Sequence, residues 1–262
     1  MKKLLLLLTP LFIFAKVHYA KVEPYNSVVL KSSVAGLVIS VDLDAEGSMI
    51  SNRIIHIDDK LDIANLNDTK KSIEFLKEML EINQEIESSL KGTAKRQEGY
   101  FKRLSKLSTT SKTQKDNAYS SFISAKTQYL STKEKIVSLE KQILDMKYKA
   151  SQLEDSISKK SIAPKGLYLY KLMVRDGDYV APGTPLATIK DISRVKLVLF
   201  LEAEELNDLE KKSLYIDGEK SNYKVSKVWN ITDEKFISSY RAEIYMPAPD
   251  GLFSKLMKVE LK

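Results

Sequence analysis

Apolar residues recur at alternating steps of four and three along Ala118, Phe122, Ala125, Tyr129, Thr132, Ile136, Leu139, Ile143, Met146, Ala150, Leu153 and Ile157, with Thr132 the one polar member. A mean period of 3.5 keeps them all on one stripe of a supercoiling helix. Lys, Glu, Gln and Ser fill the positions between, as a solvated outer face requires. A second, less regular stripe lies upstream: Ile73, Leu76, Leu80, Ile86, Leu90, Ala94, Phe101, Leu104 and Leu107. Small polar residues at 108–113 separate the two and favour a turn, with Ser111 or Thr113 placed to cap the second helix. Gly92 and Gly99 each weaken the first helix by about 1 kcal/mol relative to alanine, so a local irregularity is predicted there. The pattern predicts an antiparallel coiled-coil hairpin over residues 63–160, its tip near 105–114. Arms of about 40 residues reach about 60 Å, the dimension of a rod and not of a globular core.

Both flanks of the hairpin read as short strands. Upstream these are 28–30, 37–41 and 53–57; downstream they are 167–174, 179–180 and 186–189. The flanks resemble each other. Gly36 and Gly47 are eleven apart, as are Gly166 and Gly177, and Ile50 follows Gly47 by three as Val180 follows Gly177. A repeat split by a hairpin predicts two half-motifs that meet in space and complete one small β-domain. Arg175-Asp-Gly-Asp178 reads as an Asp-Gly hairpin turn. From residue 193 onward, alternating strands at 195–201, 213–216, 224–229, 240–245 and 256–261, with a short helix or turn at 202–209, predict a small β-barrel.

Composition narrows the chemistry. The net charge of +7 comes mainly from lysines spread over helix faces with few interleaved aromatics, a solvated surface and not a nucleic-acid footprint. The absence of cysteine excludes disulfides, thiolate metal sites and cysteine nucleophiles, and the two histidines, His18 and His56, leave almost no material for an imidazole site. Met1-Lys-Lys precedes an apolar run at residues 4–15, broken by Thr9 and Pro10. That run is too short for a bilayer of roughly 30 Å, so residues 1–20 read as a secretory signal, cleaved after Ala15 or Ala20. The mature chain is expected to be exported and periplasmic, without a transmembrane span of its own.

The second flank is the more legible. Ala163-Pro-Lys-Gly166, then Gly177-Asp-Tyr-Val-Ala-Pro-Gly-Thr-Pro-Leu186, resembles the lipoyl-like half-motif of the periplasmic adaptor proteins, the membrane fusion proteins of HlyD type. The resemblance implies a multidomain β plus α fold. A lipoyl-like β-domain, in halves at 21–62 and 161–192, is interrupted by the coiled-coil hairpin at 63–160 and followed by a β-barrel at 193–262. It assigns turn and packing roles to Gly36, Gly47, Pro164, Gly166, Gly177, Pro182 and Gly183. It also implies that a further membrane-proximal domain, common in the family, is absent. The first half departs from the pattern, with Arg53 standing about where Gly183 stands.

The function implied is a non-enzymatic adaptor subunit of a tripartite efflux pump. Its partners are an inner-membrane transporter of RND or ABC type, a TolC-like outer-membrane channel and further copies of itself in a ring, from trimer to hexamer. An envelope coiled-coil scaffold and an adaptor for protein secretion are the alternatives, and no residue names the cargo, the energy source or the oligomer number. In the efflux branch the hairpin tip carries an Arg-x3-Leu-x6-Ser pattern. Leu104 and Ser111 keep its Leu-to-Ser spacing, Tyr100 occupies the Arg position, and Arg103 lies nearby. Tyr100, Arg103, Leu104, Leu107, Ser111 and Lys112 are the implied channel contact. Over residues 95–116, seven basic side chains face two acidic ones, a local charge of +5.

Other candidates are weaker. Lys165 and Lys171 lie in the half-domain where lipoyl enzymes carry an acylated lysine, but neither falls in an Asp-Lys-Ala or Met-Lys-Met turn. Asp42, Asp44 and Glu46 mimic the start of a calcium loop, whose twelfth position is Arg53 where a bidentate carboxylate is needed. No phosphate loop, nucleophile elbow or zinc-protease helix occurs. No catalytic residue, cofactor or metal ligand is therefore assigned.

Overall fold

The computed structural model describes residues 16–248, 253 and 255–262. In order they form β1 (Val17–Lys31), β2 (Gly36–Val41), β3 (Ile55–Ile57), α1 (Lys60–Lys106), α2 (Lys112–Lys160), β4 (Ser161–Ile162), β5 (Tyr168–Leu172), β6 (Tyr179–Val180), β7 (Pro185–Glu202), β8 (Leu214–Ile216), β9 (Glu219–Ser221), β10 (Lys227–Thr232), β11 (Ser239–Pro247) and β12 (Leu256–Leu261). Two compact units result. One comprises the described parts of Met1–Ser33, Ser40–Ile55 and Ala163–Lys262; the other comprises Val34–Ile39 and His56–Ile162. Of the expected signal, residues 1–15 lie outside the described residues, while Val17 to Ala20 open strand β1.

The helical unit is an antiparallel hairpin of 47- and 49-residue helices, each about 70 Å long. Every α2 stripe residue named above is buried or half-buried. On α1 the stripe is more regular than apolar spacing shows. Ile73, Leu76, Leu80, Asn83, Glu87, Leu90, Ala94, Gln97, Phe101 and Leu104 keep the three-four alternation, and all are buried or half-buried. Asn83 takes the place read for Ile86, which is exposed. Its Nδ2 donates to the Met79 carbonyl at 2.6 Å, satisfying the amide inside its own helix. Helix α1 also runs unbroken through Gly92 and Gly99, contrary to the irregularity expected there. Packing along the whole partner helix outweighs two local propensity defects.

The base of the hairpin is clamped by polar groups. Lys160 Nζ lies 2.7 Å from the Asp62 carboxylate and donates to the Asp58 carbonyl at 2.7 Å, while Ser156 donates to Asp62 at 3.3 Å. The Lys160 side chain is largely buried, so its charge needs these partners. In the same unit β3 lies between β4 and β2. A Cβ on Gly36 would fall 2.5 Å from Ile57 Cγ2, so only glycine fits where β2 passes β3.

The β unit is organised by two long strands. β7 pairs with β1 on one side and with β11 and β5 on the other, giving an eight-stranded sheet whose main path runs β10-β11-β7-β1-β12-β8-β9. The sequence divided β7 into separate strands at 186–189 and 195–201. In the fold it is continuous. Asn26 faces Asp191 and Pro24 faces Val195, so three residues of β7 bulge opposite Tyr25. The Asp191 carboxylate steadies the bulge by accepting from the Ser193 hydroxyl and amide, and these hydrogen bonds, the hydroxyl's above all, lower its pKa. Arg194 stacks over the Tyr25 ring at 4.0 Å. The division read at 192/193 falls inside this bulge.

One face of the sheet holds a core of Ala20, Val22, Val195, Leu197, Leu199, Leu201, Leu214, Ala242, Ile244 and Val259. The four β7 residues at alternate positions are all but fully buried, each worth roughly 1.5–3 kcal/mol against exposure. The small barrel expected from residue 193 is not closed among the described residues: β10 and β9 end the sheet path. Its strands instead recruit β1, whose alternation begins at Val17, well before the strand read at 28–30. The turn read at Arg175–Asp178 is present, closed by Asp178 N on the Arg175 carbonyl at 3.1 Å, but only Gly177 in it is left-handed and the strands on either side, β5 and β6, do not pair with each other. Asp217 and Gly218 both have positive φ and join β8 to β9 as a type I′ hairpin.

The two flanks of the hairpin do meet inside this unit. Backbone bonds run from Gly47 N to Leu169 O (2.8 Å), from Leu169 N to Ser48 O (2.9 Å) and from Ile50 N to Leu167 O (2.8 Å). Ile50 and Val180, matched in the repeat, are both buried. Gly47 and Gly177 share a left-handed backbone, but of the other matched pair only Gly166 does.

Candidate functional site

The far end of the hairpin gathers the residues singled out at the tip. Helix α1 stops at Lys106, and Leu107 turns extended with its N–H on the Leu104 carbonyl. Ser111 then starts α2 with a reciprocal capping box. Its hydroxyl accepts from Gln114 N (3.3 Å), and the Gln114 side chain accepts from Ser111 N (3.2 Å). Lys115 Nζ reaches back across the turn to the Ser105 carbonyl at 3.4 Å. The turn is therefore held by its own hydrogen bonds.

Below it the seam becomes aromatic. Phe101 packs on Tyr119 at 5.2 Å and stacks on Phe122 at 6.4 Å, with Lys126 over Phe122. Phe101 and Leu104 are half-buried in the seam, whereas Tyr100, Leu107 and Tyr119 are about half exposed and turn apolar surface outward. Arg103 and Lys112 are exposed. The Glu98 carboxylate is engaged by Lys102 at 2.6 Å, which lowers its pKa. The surface thus offers aromatic and aliphatic side chains set among cations, a composition suited to a protein surface carrying carboxylates. Of the six residues implied at the tip, Tyr100, Arg103, Leu107 and Lys112 face solvent, Leu104 packs the last turn, and Ser111 serves as the cap.

The remaining candidates take structural roles or none. Asp42 caps the 3-10 turn Leu43–Ala45, and the Glu46 carboxylate accepts from Leu172 N at 2.5 Å. The calcium-loop mimic is thus a pair of tethers. Lys165 sits in an exposed turn beside Gly166, and Lys171 lies within β5. Pro182 and Gly183 form the centre of a turn closed by Thr184 N on the Ala181 carbonyl at 2.9 Å, with Gly183 at φ +92°. Pro164 lies in the link between β4 and β5. Among the described residues no group of three His, Cys, Asp or Glu could hold a metal ion, and no helix is long and apolar enough to cross a membrane. Sequence reasoning missed Asn83 because it followed apolar residues only; the unbroken three-four spacing through it was the available signal.

The chain shares its fold with membrane fusion proteins. The crystal structure of MacA from Actinobacillus actinomycetemcomitans superposes with a TM-score of 0.70, at 14% identity, over 94% of this chain and 78% of that one. The membrane fusion protein Spr0693 from Streptococcus pneumoniae R6 gives 0.54, at 10% identity, over 95% of this chain and 99% of that one. A putative efflux transporter from Bacteroides eggerthii gives 0.51, at 13% identity, over 94% and 68%. No family model matches the sequence, and no curated protein matches it.

Proposed function

We propose that this chain is a non-enzymatic periplasmic adaptor of a tripartite efflux pump, linking an inner-membrane transporter of RND or ABC type to a TolC-like outer-membrane channel. The observation that carries the reading is the hairpin itself: two helices of nearly equal length, inserted between β segments that pair with each other, ending in a capped basic tip. Such an element spans distance and presents its end. In this reading the paired flanks, 21–62 and 161–192, form a lipoyl-like domain, and the sheet from residue 193 onward docks on the transporter. Copies assemble as a ring of three to six. Tyr100, Arg103, Leu104, Leu107, Ser111 and Lys112 meet the channel, with Arg103 and Lys112 opposite carboxylates at its helix ends.

The test is resistance to detergents, bile salts or dyes in a deletion strain complemented with tip variants. Leu104→Asp and Ser111→Arg are expected to abolish resistance, but both also disturb the turn. Leu107→Asp and Arg103→Glu alter exposed side chains and leave the helices intact. Loss of resistance in these two, with wild-type helicity and expression, supports the channel contact. Full resistance in both contradicts it. Intact efflux with altered cell shape in the deletion strain favours the scaffold reading instead.

A further inference from the structure

Strand β1 is shared between two partners. Residues 22–31 pair with β7, whereas residues 17–21 pair with β12, in a register that runs from Val17 opposite Glu260 to Lys21 opposite Leu256. Among the described residues β12 pairs only with β1 and β8, and β8 only with β12 and β9. Residues 17–21 are therefore the one ladder that joins β12, β8 and β9 to the rest of the eight-stranded sheet.

Their side chains are built for the place. Exposed Val17, Tyr19 and Lys21 alternate with half-buried His18 and with Ala20 and Val22, which are buried. Ala20 is fully enclosed and belongs to the same core as Val22, Leu197 and Val259. His18 Nε2 lies 2.6 Å from Glu205 Oε1, with its side chain only 10% exposed. Lys16, just ahead of the strand, pairs with Glu202 and lies 4.0 Å from Glu205 Oε2. A chain that began at Lys21 would keep one of the five matched pairs with β12, besides the bond from Val22 N to the Lys255 carbonyl at 2.9 Å. It would leave backbone groups of β12 open along that edge and Glu205 Oε1 without its imidazole.

This bears on which bond a signal-cleaving protease cuts. Such an enzyme takes small side chains directly before the bond and three residues before it. Alanine stands directly before both candidate bonds. The third residue back is His18 for the later bond, a polar ring, and the aliphatic Ile13 for the earlier one. The earlier bond also ends the apolar run at residues 4–15, and it leaves the whole ladder to β12 in the product.

We infer that the signal is removed between Ala15 and Lys16, and that residues 16–20 stay in the mature chain as the stitch that holds β12, β8 and β9 to the sheet. The cut presupposes export, and it is independent of what the hairpin tip meets.

Stepwise N-terminal sequencing of the full chain, recovered from the envelope of its native cell, tests the cut. Both candidate products open with Lys-Val, at Lys16-Val17 or at Lys21-Val22, so the third cycle decides. His18, Tyr19 and Ala20 are expected in cycles three to five; the other product would read Glu23, Pro24 and Tyr25. Ala15→Tyr is expected to block the cut, so that the chain accumulates at its full 29.7 kDa. Deletion of residues 16–20 preserves Ala15 followed by Lys-Val, so that chain is still expected to be cut, but to be digested several-fold faster by added protease than the wild type. A start at Lys21, or unhindered processing of Ala15→Tyr, overturns the cut site and leaves export and the adaptor reading standing. A chain found intact from Met1 in the envelope overturns both the cut site and the cleaved signal. A deletion variant as resistant to protease as the wild type overturns the stitch.

Discussion

Asn83 shows what a single polar residue does in an otherwise apolar seam. Its amide is almost fully buried and is satisfied only by the Met79 carbonyl one turn back. A buried polar side chain at a seam position fixes register at the expense of stability. Replacing both hydrogen-bond partners' demand with an apolar side chain is expected to raise stability. Asn83→Leu should therefore stabilise the hairpin by about 1 kcal/mol, read by thermal or urea unfolding. A loss of similar size would mean that Asn83 makes a contact the seam depends on.

Glu243 argues the same point for charge. Burial pushes its carboxyl up, but hydrogen bonds from the Tyr245 hydroxyl at 2.8 Å and the Arg241 guanidinium at 2.7 Å outweigh it, and the net shift is downward from 4.5. On β12, Glu260 lies between Lys258 and Lys262, each at 2.6 Å, and these hold it down to about 2. Both groups bind a proton more weakly folded than unfolded. Their stabilisation is thus present above the ordinary carboxylate range and is lost as pH falls through each lowered value, about 2 for Glu260. Glu243→Gln should show a smaller drop in melting temperature than the wild type across that window. An identical or steeper drop would show that the carboxylate is not held in this network.

At the scale of elements, the hairpin was legible and the long strands were not. The α2 stripe and the turn are written in local spacing, which helices expose within a few residues, and the cap was narrowed to Ser111 or Thr113. The α1 stripe looked irregular because Asn83, Glu87 and Gln97 hold seam positions with polar side chains. β1 was read only at 28–30 and β7 in two pieces for a different reason. Their continuity depends on pairing with each other across the chain, and the bulge at 192–194 interrupts the alternation that would have joined them. The tip could be located from charge and spacing, but the division of labour within it could not. That Ser111 spends its hydroxyl on Gln114 N follows only from geometry. Ser111→Ala should cost about 1 kcal/mol, and Ser111→Asp should restore the cap. If Ser111→Asp also keeps export, Ser111 serves the turn and not the channel; if export fails with the cap restored, its hydroxyl is part of the contact.

At the scale of the whole molecule, the distinctive feature is a β unit whose pairing segments lie on either side of a hairpin inserted between them. Backbone bonds join the Gly47 and Leu169 regions within the β unit, and within the hairpin unit the Lys160–Asp62 clamp holds the first turn of α1 to the last turn of α2. The central claim is that this tip touches an outer-membrane channel. A photo-crosslinking residue in place of Leu107, in the full-length chain within its native envelope, tests it most directly. The account predicts one dominant adduct containing a TolC-like channel, lost when the same probe replaces Leu61 at the base. An adduct of equal yield from both positions, or none to any outer-membrane protein from position 107, would contradict it.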